Sequence, residues 1–384
     1  MPTWLFAALS VAAFASAASM RIADSLLPDI AAEFATTPGA VAAAAITSFN
    51  IAYGAIQIAF GPIGDRFGKV QTIAVASLLS AAAQIGCVVA ATADQLSLAR
   101  FVSGAAAGGV IPLCLAWIGD VVSFENRQRA LARFLFSQIL GFASGQALGG
   151  WIGDAFGWRA SFLMLGALFF LGGIAPLIAL RLSPAPGSGA AGLARRVKLL
   201  EALSRPRVRL VLTTVFLEGA AMYGAFSYIG TDLQLRFGVS VAAAGTMLTA
   251  FALGALGYAL AVGRLVATMS RARIALIGSF ALAAGFALIA LVPSLAVALA
   301  ALVVLGFGFY MLHNSLQTEA TQMIPEARGT ALAMFAAMLF IGQAAGVALA
   351  GPFFDRVGGP PLYLAAACVL PIIALRFARA LARP

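Results

Sequence analysis

Along its whole length this chain alternates apolar runs with short breaks that carry charge or turn-forming residues. Each run is near the roughly 20 residues that an α-helix needs to cross a bilayer. Twelve such runs can be placed, centred near residues 14, 48, 80, 106, 140, 170, 218, 252, 282, 305, 338 and 370, with the weakest separators near Asp94 and Pro293. No long segment alternates polar and apolar residues as barrel strands do. Charged residues make up 10% of the chain, against roughly 25% in soluble domains. A chain so poor in charge cannot coat a globular surface, so the solvent around most of it is lipid. The expectation is an all-α membrane protein of twelve transmembrane helices.

The formal net charge of +10 could suggest nucleic acid, but the basic residues sit in short clusters between apolar runs and form no nucleic-acid module. The positive-inside rule explains them better. With both termini in the cytoplasm, nineteen Lys and Arg fall on that side, in clusters at Arg66 and Lys69, Arg127 to Arg133, Arg181 to Arg209, Arg264 to Arg273, Arg328, and Arg376 to Arg383. Three (Arg159, Arg236 and Arg356) fall on the other side, and Arg21 and Arg100 lie within spans. The apolar stretch Trp4 to Ser19 follows no Lys or Arg and precedes many further runs, so an uncleaved first span is expected. Arginine outnumbers lysine 22 to 2, which suggests a GC-rich bacterial genome and the inner membrane as location. Cys87, Cys114 and Cys368 lie in apolar runs and read as small core hydrophobes.

Between the sixth and seventh runs lies the longest polar stretch, SPAPGSGAAG followed by ARRVKLLEALSR. It reads as a linker whose second part is basic and amphipathic enough to lie on an anionic membrane surface. The two flanking parts are related. At a constant offset of 201, Glu125, Arg127, Phe134, Gly141, Gly145, Gly150 and Asp154 pair with Glu326, Arg328, Phe335, Gly342, Gly346, Gly351 and Asp355. The expected organisation is a six-helix half over residues 1–182, a linker over 183–207, and a second six-helix half over 208–384.

After the second run comes GPIGDRFGKVQ, a tight turn in which Gly61, Gly64 and Gly68 allow close approach while Asp65, Arg66 and Lys69 sit at the interface. This string resembles the signature loop of the major facilitator superfamily, whose fold is two pseudo-symmetric six-helix halves. The resemblance implies that Asp65 meets a helix N-terminus of the second half, where the dipole favours an anion. It also implies that Asp120 partners the basic residues of this loop and latches the cytoplasmic side. The corresponding GRLVATMSRAR from Gly263 has no acid, so a matching latch in the second half is not expected. LSLARFVSG, with Arg100 four residues before Gly104, looks like the family's membrane-embedded arginine motif, associated with proton-coupled members. An arginine at a helix centre costs on the order of 3 kcal/mol, so it needs a buried acceptor or an aqueous cavity. GFASGQALGGWIG resembles the glycine-rich motif of drug:proton antiporters, with Gln146 where that motif has proline. Gly141, Gly145 and Gly149, with Gly150, make a smooth face for tight helix packing. GWRASF from Gly157 is another family-like feature.

Charge inside the membrane points to function. Arg21 and Asp24 stand three residues apart on the first span, and Glu218 sits inside the seventh with no basic residue near it in sequence. Glu218 is the leading proton-carrier candidate, because a carboxyl buried there is costly to keep ionised. His313, the only histidine, can titrate near neutral pH. Asn50, Tyr53, Gln57, Gln138, Tyr223, Tyr228, Asn314 and Gln343 are the candidate cavity lining. Their mixture of aromatic and amide groups suits an amphipathic organic molecule. No metal cluster, nucleophile elbow or nucleotide loop is present, so neither an enzyme nor a metal or other cofactor is expected. The expected function is proton-coupled export of small organic molecules such as drugs, sugars or metabolites by a monomer in the bilayer. An importer or uniporter is the near alternative, and a non-transporting sensor a remote one.

Overall fold

In the computed structural model the described residues are 3–182 and 199–381, and they are almost entirely helical with no strand among them. The chain divides into two units, residues 1–194 and 195–384. All twelve centres read from the sequence fall inside helices. Ten helical segments of the described residues are long and apolar enough to cross a membrane, and Trp4–Ser19 is a shorter apolar helix. Leu260, Leu349 and Phe156 are 81%, 78% and 80% exposed, which is stable only where the surroundings are hydrocarbon.

The first unit contains α1 (Thr3–Ser19), α2 (Leu27–Glu33), α3 (Pro38–Ala42), a π-helical turn (Ala43–Thr47), α4 (Ser48–Phe67), α5 (Lys69–Val89), α6 (Ala93–Ala107), α7 (Val110–Val121), α8 (Phe124–Phe156) and α9 (Trp158–Leu182). Here α1 packs between α8 and α9, α4 lies on α6, and α5 lies on α9. Threonine side chains cap two starts: Thr37 accepts from the Ala40 N–H and Thr92 from the Gln95 N–H.

The second unit contains α10 (Leu199–Ser204), α11 (Pro206–Phe226), α12 (Ile229–Phe237), α13 (Val241–Leu248), α14 (Ala250–Thr268), α15 (Arg271–Leu291), α16 (Leu295–Met323), a 3₁₀ turn (Pro325–Ala327), α17 (Arg328–Val357) and α18 (Gly359–Leu381). Here α11 lies on α17, and α15 packs between α16 and α18. Most of the interfacial segment expected in the linker, residues 183–198, lies outside the described residues.

The sequence repeat has a structural counterpart. A Cβ on Gly141 would stand 2.5 Å from the Phe14 carbonyl oxygen, and one on Gly145 2.4 Å from that of Ala18. In the second unit a Cβ on Gly342 would stand 2.2 Å from the Phe216 oxygen, and one on Gly346 2.1 Å from that of Ala220. In each unit two helices therefore touch backbone to backbone, an approach that only glycine permits. Gly149 continues the seam against the Ile22 oxygen at 2.6 Å, and Gly150 is buried beside it. The helices bearing these glycines, α8 and α17, end at Gly157 and Gly358, both at positive φ of 82° and 77°.

Three expectations change in detail. GPIGDRFGKVQ is not an extended turn: α4 runs through Phe67 and α5 begins at Lys69, so Gly68 alone (φ 89°) makes the corner. Gly64 faces Leu113, whereas a Cβ on Gly61 would meet nothing. Arg21 and Asp24 do not share a helix face, because α1 stops at Ser19 and residues 20–26 are turns. Cys87 and Cys114 are buried, but Cys368 is exposed on α18.

Candidate functional site

In the first unit the buried charge gathers around Arg100, which is fully buried on α6. Its guanidinium donates from Nε to the Ala45 carbonyl at 2.7 Å, from Nη2 to the Ser19 carbonyl at 2.8 Å, and from Nη1 to the Ser19 hydroxyl at 3.1 Å. Both carbonyls are offered by broken helix: Ser19 ends α1, and Ala45 lies in the π-helical turn. Carbonyls at such breaks lack the usual i+4 partner, so the backbone irregularities supply the acceptors that an arginine in lipid requires. Phe49 and Phe162 cover the cation, with ring centroids 4.2 and 5.7 Å from Cζ. A Cβ on Gly104 would stand 2.3 Å from the Phe49 carbonyl oxygen, so Gly104 lets α6 approach α4 closely at this level. Gln84 adds a bond to the Ser103 hydroxyl at 2.8 Å.

Arg21 and Asp24 pair at 3.6 Å, both buried, with Phe142 5.3 Å from the guanidinium carbon. Asp24 also lies close to Gln146 and in the field of Arg100. Neither of its carboxylate oxygens makes a hydrogen bond of standard geometry. Gln146, which stands where the antiporter-like motif has proline, is thus a neighbour of the buried acid. Nearby, Tyr53 lies 3.4 Å from the Ser16 hydroxyl, and Asn50, 1% exposed, has its amide atoms buried without a hydrogen bond. Gln57 is buried, and Gln138 is half-buried.

The second unit holds a different arrangement. Glu218 of α11 is fully buried, and its Oε2 lies 3.0 Å from Nδ1 of His313 on α16. The other oxygen, Oε1, is buried with no hydrogen bond. The imidazole stacks on Phe309 (centroids 5.0 Å apart, planes at 13°) and touches Phe335 at 5.3 Å. Tyr223 packs edge-on against Phe309, and Phe226 against Phe251, which gives the pair an aromatic surround. Gln343 is buried, and its backbone nitrogen would lie 3.2 Å from a Cβ on Gly219, one residue past Glu218. Asn314 is half-buried next to His313. Tyr228 sits apart: its hydroxyl donates to the Val347 carbonyl at 2.9 Å and its ring stacks on Phe354.

At the helix ends near the Gly68 corner, Lys69 reaches Asp120 at 2.5 Å and Asp65 at 3.6 Å. Arg66 instead lies over the Phe67 ring at 5.2 Å. The second unit has an equivalent after all. Arg271, first residue of α15 as Lys69 is of α5, meets Glu319 at 2.6 Å, and Arg207 holds the other oxygen of the same carboxylate at 2.5 Å. The acid missing from the GRLVATMSRAR loop comes from α16, 48 residues later. Away from this end, Glu33 accepts from Trp158 Nε1 at 2.7 Å and from the Arg159 guanidinium. The Arg159 bond, and then that of Trp158, holds the Glu33 carboxyl below the ordinary glutamate range. Asp232 plays the matching part in the second unit, paired with Arg236 at 3.0 Å and close to Gly359 and Tyr363 at the start of α18. Glu319 and Asp232 were both missed by the sequence reading. An acid at the end of an apolar run was the available signal in each case.

The Major Facilitator Superfamily profile matches residues 9–347 and 229–384. The uncharacterized MFS-type transporter YwfA of Bacillus subtilis is 25% identical over 365 residues, covering 93% of this chain and 87% of its own. The probable transporter SCO4007 of Streptomyces coelicolor is 30% identical over 353 residues, covering 89% of this chain and 80% of its own. The multidrug export protein EmrB of Haemophilus influenzae matches at 33% over 152 residues, 39% of this chain and 29% of that one. Among solved structures, a bacterial homologue of the human lysosomal transporter Spinster superposes with TM-score 0.79 at 17% identity, covering 98% of this chain and 96% of that one. The nucleoside transporter NupG superposes with TM-score 0.76 at 15% identity over the full length of both chains.

Proposed function

The chain belongs to the Major Facilitator Superfamily, a transport protein rather than an enzyme, and from that premise we propose that it is a proton-coupled secondary transporter exporting small organic molecules by alternating access. The observation that carries this reading is the Glu218–His313 contact at 3.0 Å, with one carboxylate oxygen buried and unbonded. A carboxylate and an imidazole that share a proton can exist as a charged pair or a neutral one, and a charged pair without further bonds is costly in a dry site. Substrate binding that perturbs the pair therefore changes how many protons it holds. Each proton moving inward supplies about 2.3 kcal/mol per 100 mV of membrane potential, which is enough to drive uphill export of a solute.

In the first unit, Arg100, Arg21 and Asp24 are further proton-coupling residues of this reading. The substrate-contact candidates of this reading are Asn50, Tyr53, Gln57 and Gln138 in the first unit and Tyr223, Tyr228, Asn314 and Gln343 in the second. Lys69 with Asp65 and Asp120, and Arg271 with Glu319 and Arg207, hold the ends we assign to the cytoplasm. The proposed organisation is twelve crossing helices in halves 1–182 and 208–384, joined by a linker over 183–207. Both termini lie in the cytoplasm, the location is a bacterial inner membrane, and the working unit is a monomer. The export direction is supported by the names of partial relatives, the multidrug export protein EmrB of Haemophilus influenzae and the drug efflux pump JefA of Mycobacterium tuberculosis.

The test is proton release from purified protein in weakly buffered detergent on adding lipophilic cations, sugars or organic acids, comparing the native chain with Glu218→Gln and Asp24→Asn. Release in the native chain that disappears in Glu218→Gln supports the proposal and identifies the substrate class. Binding without release would end it in favour of a uniporter or an importer coupled to another ion.

A further inference from the structure

A groove of about 880 Å³ opens on the first unit between α4, α5 and α6, closed at one side by Leu177 of α9. Its floor is apolar and buried, formed by Phe60, Ala76 and Ala106. Its rims are apolar and exposed, with Phe67, Val75, Leu79 and Val102 between 44% and 57% accessible. Only Gln71 and Thr72 add polar groups to the lining, and both lie at the end next to the Gly68 corner. The Thr72 hydroxyl is already bonded to the Gly68 carbonyl. At that same end Arg66 is exposed, its guanidinium over the Phe67 ring that lines the groove. Lys69 is taken by Asp120 and Asp65, whereas exposed Arg66 lies over Phe67 of the groove lining.

The length of the groove fits one leaflet. Gln71 to Leu79 is eight steps along α5, about 12 Å at 1.5 Å per residue. Half of a hydrocarbon core is roughly 15 Å. The groove thus starts at the membrane surface with an arginine and an amide, and runs apolar to near the midplane. That is the polarity profile of one lipid with an anionic headgroup and its acyl chain pointing inward. We propose that this groove is a binding site for a single anionic phospholipid, its phosphate on Arg66 and the Gln71 amide and one acyl chain along Val75, Leu79 and Val102.

Native mass spectrometry of the full chain, stripped of lipid by detergent washing and titrated with phosphatidylglycerol or phosphatidylcholine of identical chains, tests this. The first lipid bound should be phosphatidylglycerol, preferred about fivefold, the worth of one arginine at an anionic surface. Ala105→Phe, which fills the groove, should abolish that first adduct for both lipids. Arg66→Gln should keep an adduct but make the two lipids equal. If Ala105→Phe is not monodisperse, Val75→Phe on the opposite wall replaces it with the same expected loss. Equal binding of both lipids that survives groove filling overturns the proposal. So does displacement of the lipid by the soluble headgroup, glycerophosphoglycerol, because the acyl chain would then contribute nothing.

Discussion

In the first unit the buried cation is Arg100, held by two backbone carbonyls, a hydroxyl and two rings. In the second unit the buried acid is Glu218, held by one imidazole nitrogen and otherwise unbonded. The glycine seams allow these sites to be placed on one frame. Phe14 corresponds to Phe216 and Ala18 to Ala220, because each carbonyl meets an equivalent glycine. Ser16 is therefore the counterpart of Glu218, and it carries a hydroxyl bonded to the Ala107 carbonyl. The two units share one backbone contact, but at the equivalent position one carries a hydroxyl and the other a carboxyl paired with an imidazole. Arginine stays charged at any physiological pH, so Arg100 is a fixed charge, whereas in the proposed reading the Glu218–His313 pair is a variable one.

The sharpest way to break this contrast is to neutralise the variable site. Glu218→Gln should eliminate substrate-induced proton release, whereas Asp24→Asn should retain most of it. The reverse pattern in a release assay would place the variable charge in the first unit. The next largest effect concerns the fixed site. Arg100→Met leaves the Ser19 and Ala45 carbonyls without donors, at about 1–3 kcal/mol for each buried orphan. A stability loss of about 3 kcal/mol in denaturant titrations is expected, and an unchanged midpoint would show that the carbonyls are not what the arginine satisfies. Smaller still are the two end clamps. Glu319→Gln frees two arginines and should cost about 1 kcal/mol, and Asp120→Asn nearer 0.3 kcal/mol, as for exposed ion pairs. Equal losses would mean that the clamps are more alike than their charge counts.

The smallest effect is at Glu33, whose carboxyl is held below its ordinary range by Arg159 and Trp158. Its unfolded form takes up protons first. The contribution is therefore complete above the ordinary glutamate value and lost as pH falls through the lowered folded one. A slight decrease in thermal stability at acid pH, absent in Glu33→Gln, is the expected reading.

The spans, the repeat and the burial of Arg100 and Glu218 were legible because each rests on local composition or on a fixed offset. The partners were not. Glu218 and His313 are 95 residues apart, and the sequence offered them as separate candidates. The acid for the second clamp was sought in the loop beside Arg271, where the first unit has Asp65, but Glu319 reaches it from another helix. The end of α1 at Ser19 and the π-helical turn at Ala43–Thr47 were also hidden. Both lie inside alanine-rich runs that any helix reading would continue through, and the carbonyls that Arg100 meets lie at these breaks.

The backbone seams have a mechanical consequence. Where Gly141 and Gly145 of α8 meet α1, and Gly342 and Gly346 of α17 meet α11, backbone lies against backbone carbonyl. Such a contact has little compliance: sliding by even a fraction of a residue would drive a Cα into a carbonyl. Elastic strain applied to the first unit must then be absorbed elsewhere. Regular α-helix is interrupted at residues 20–26 and 43–47, and Arg100 bonds to Ser19 and Ala45 at these interruptions. The fixed charge is thereby also a tie to both interruptions of helical geometry.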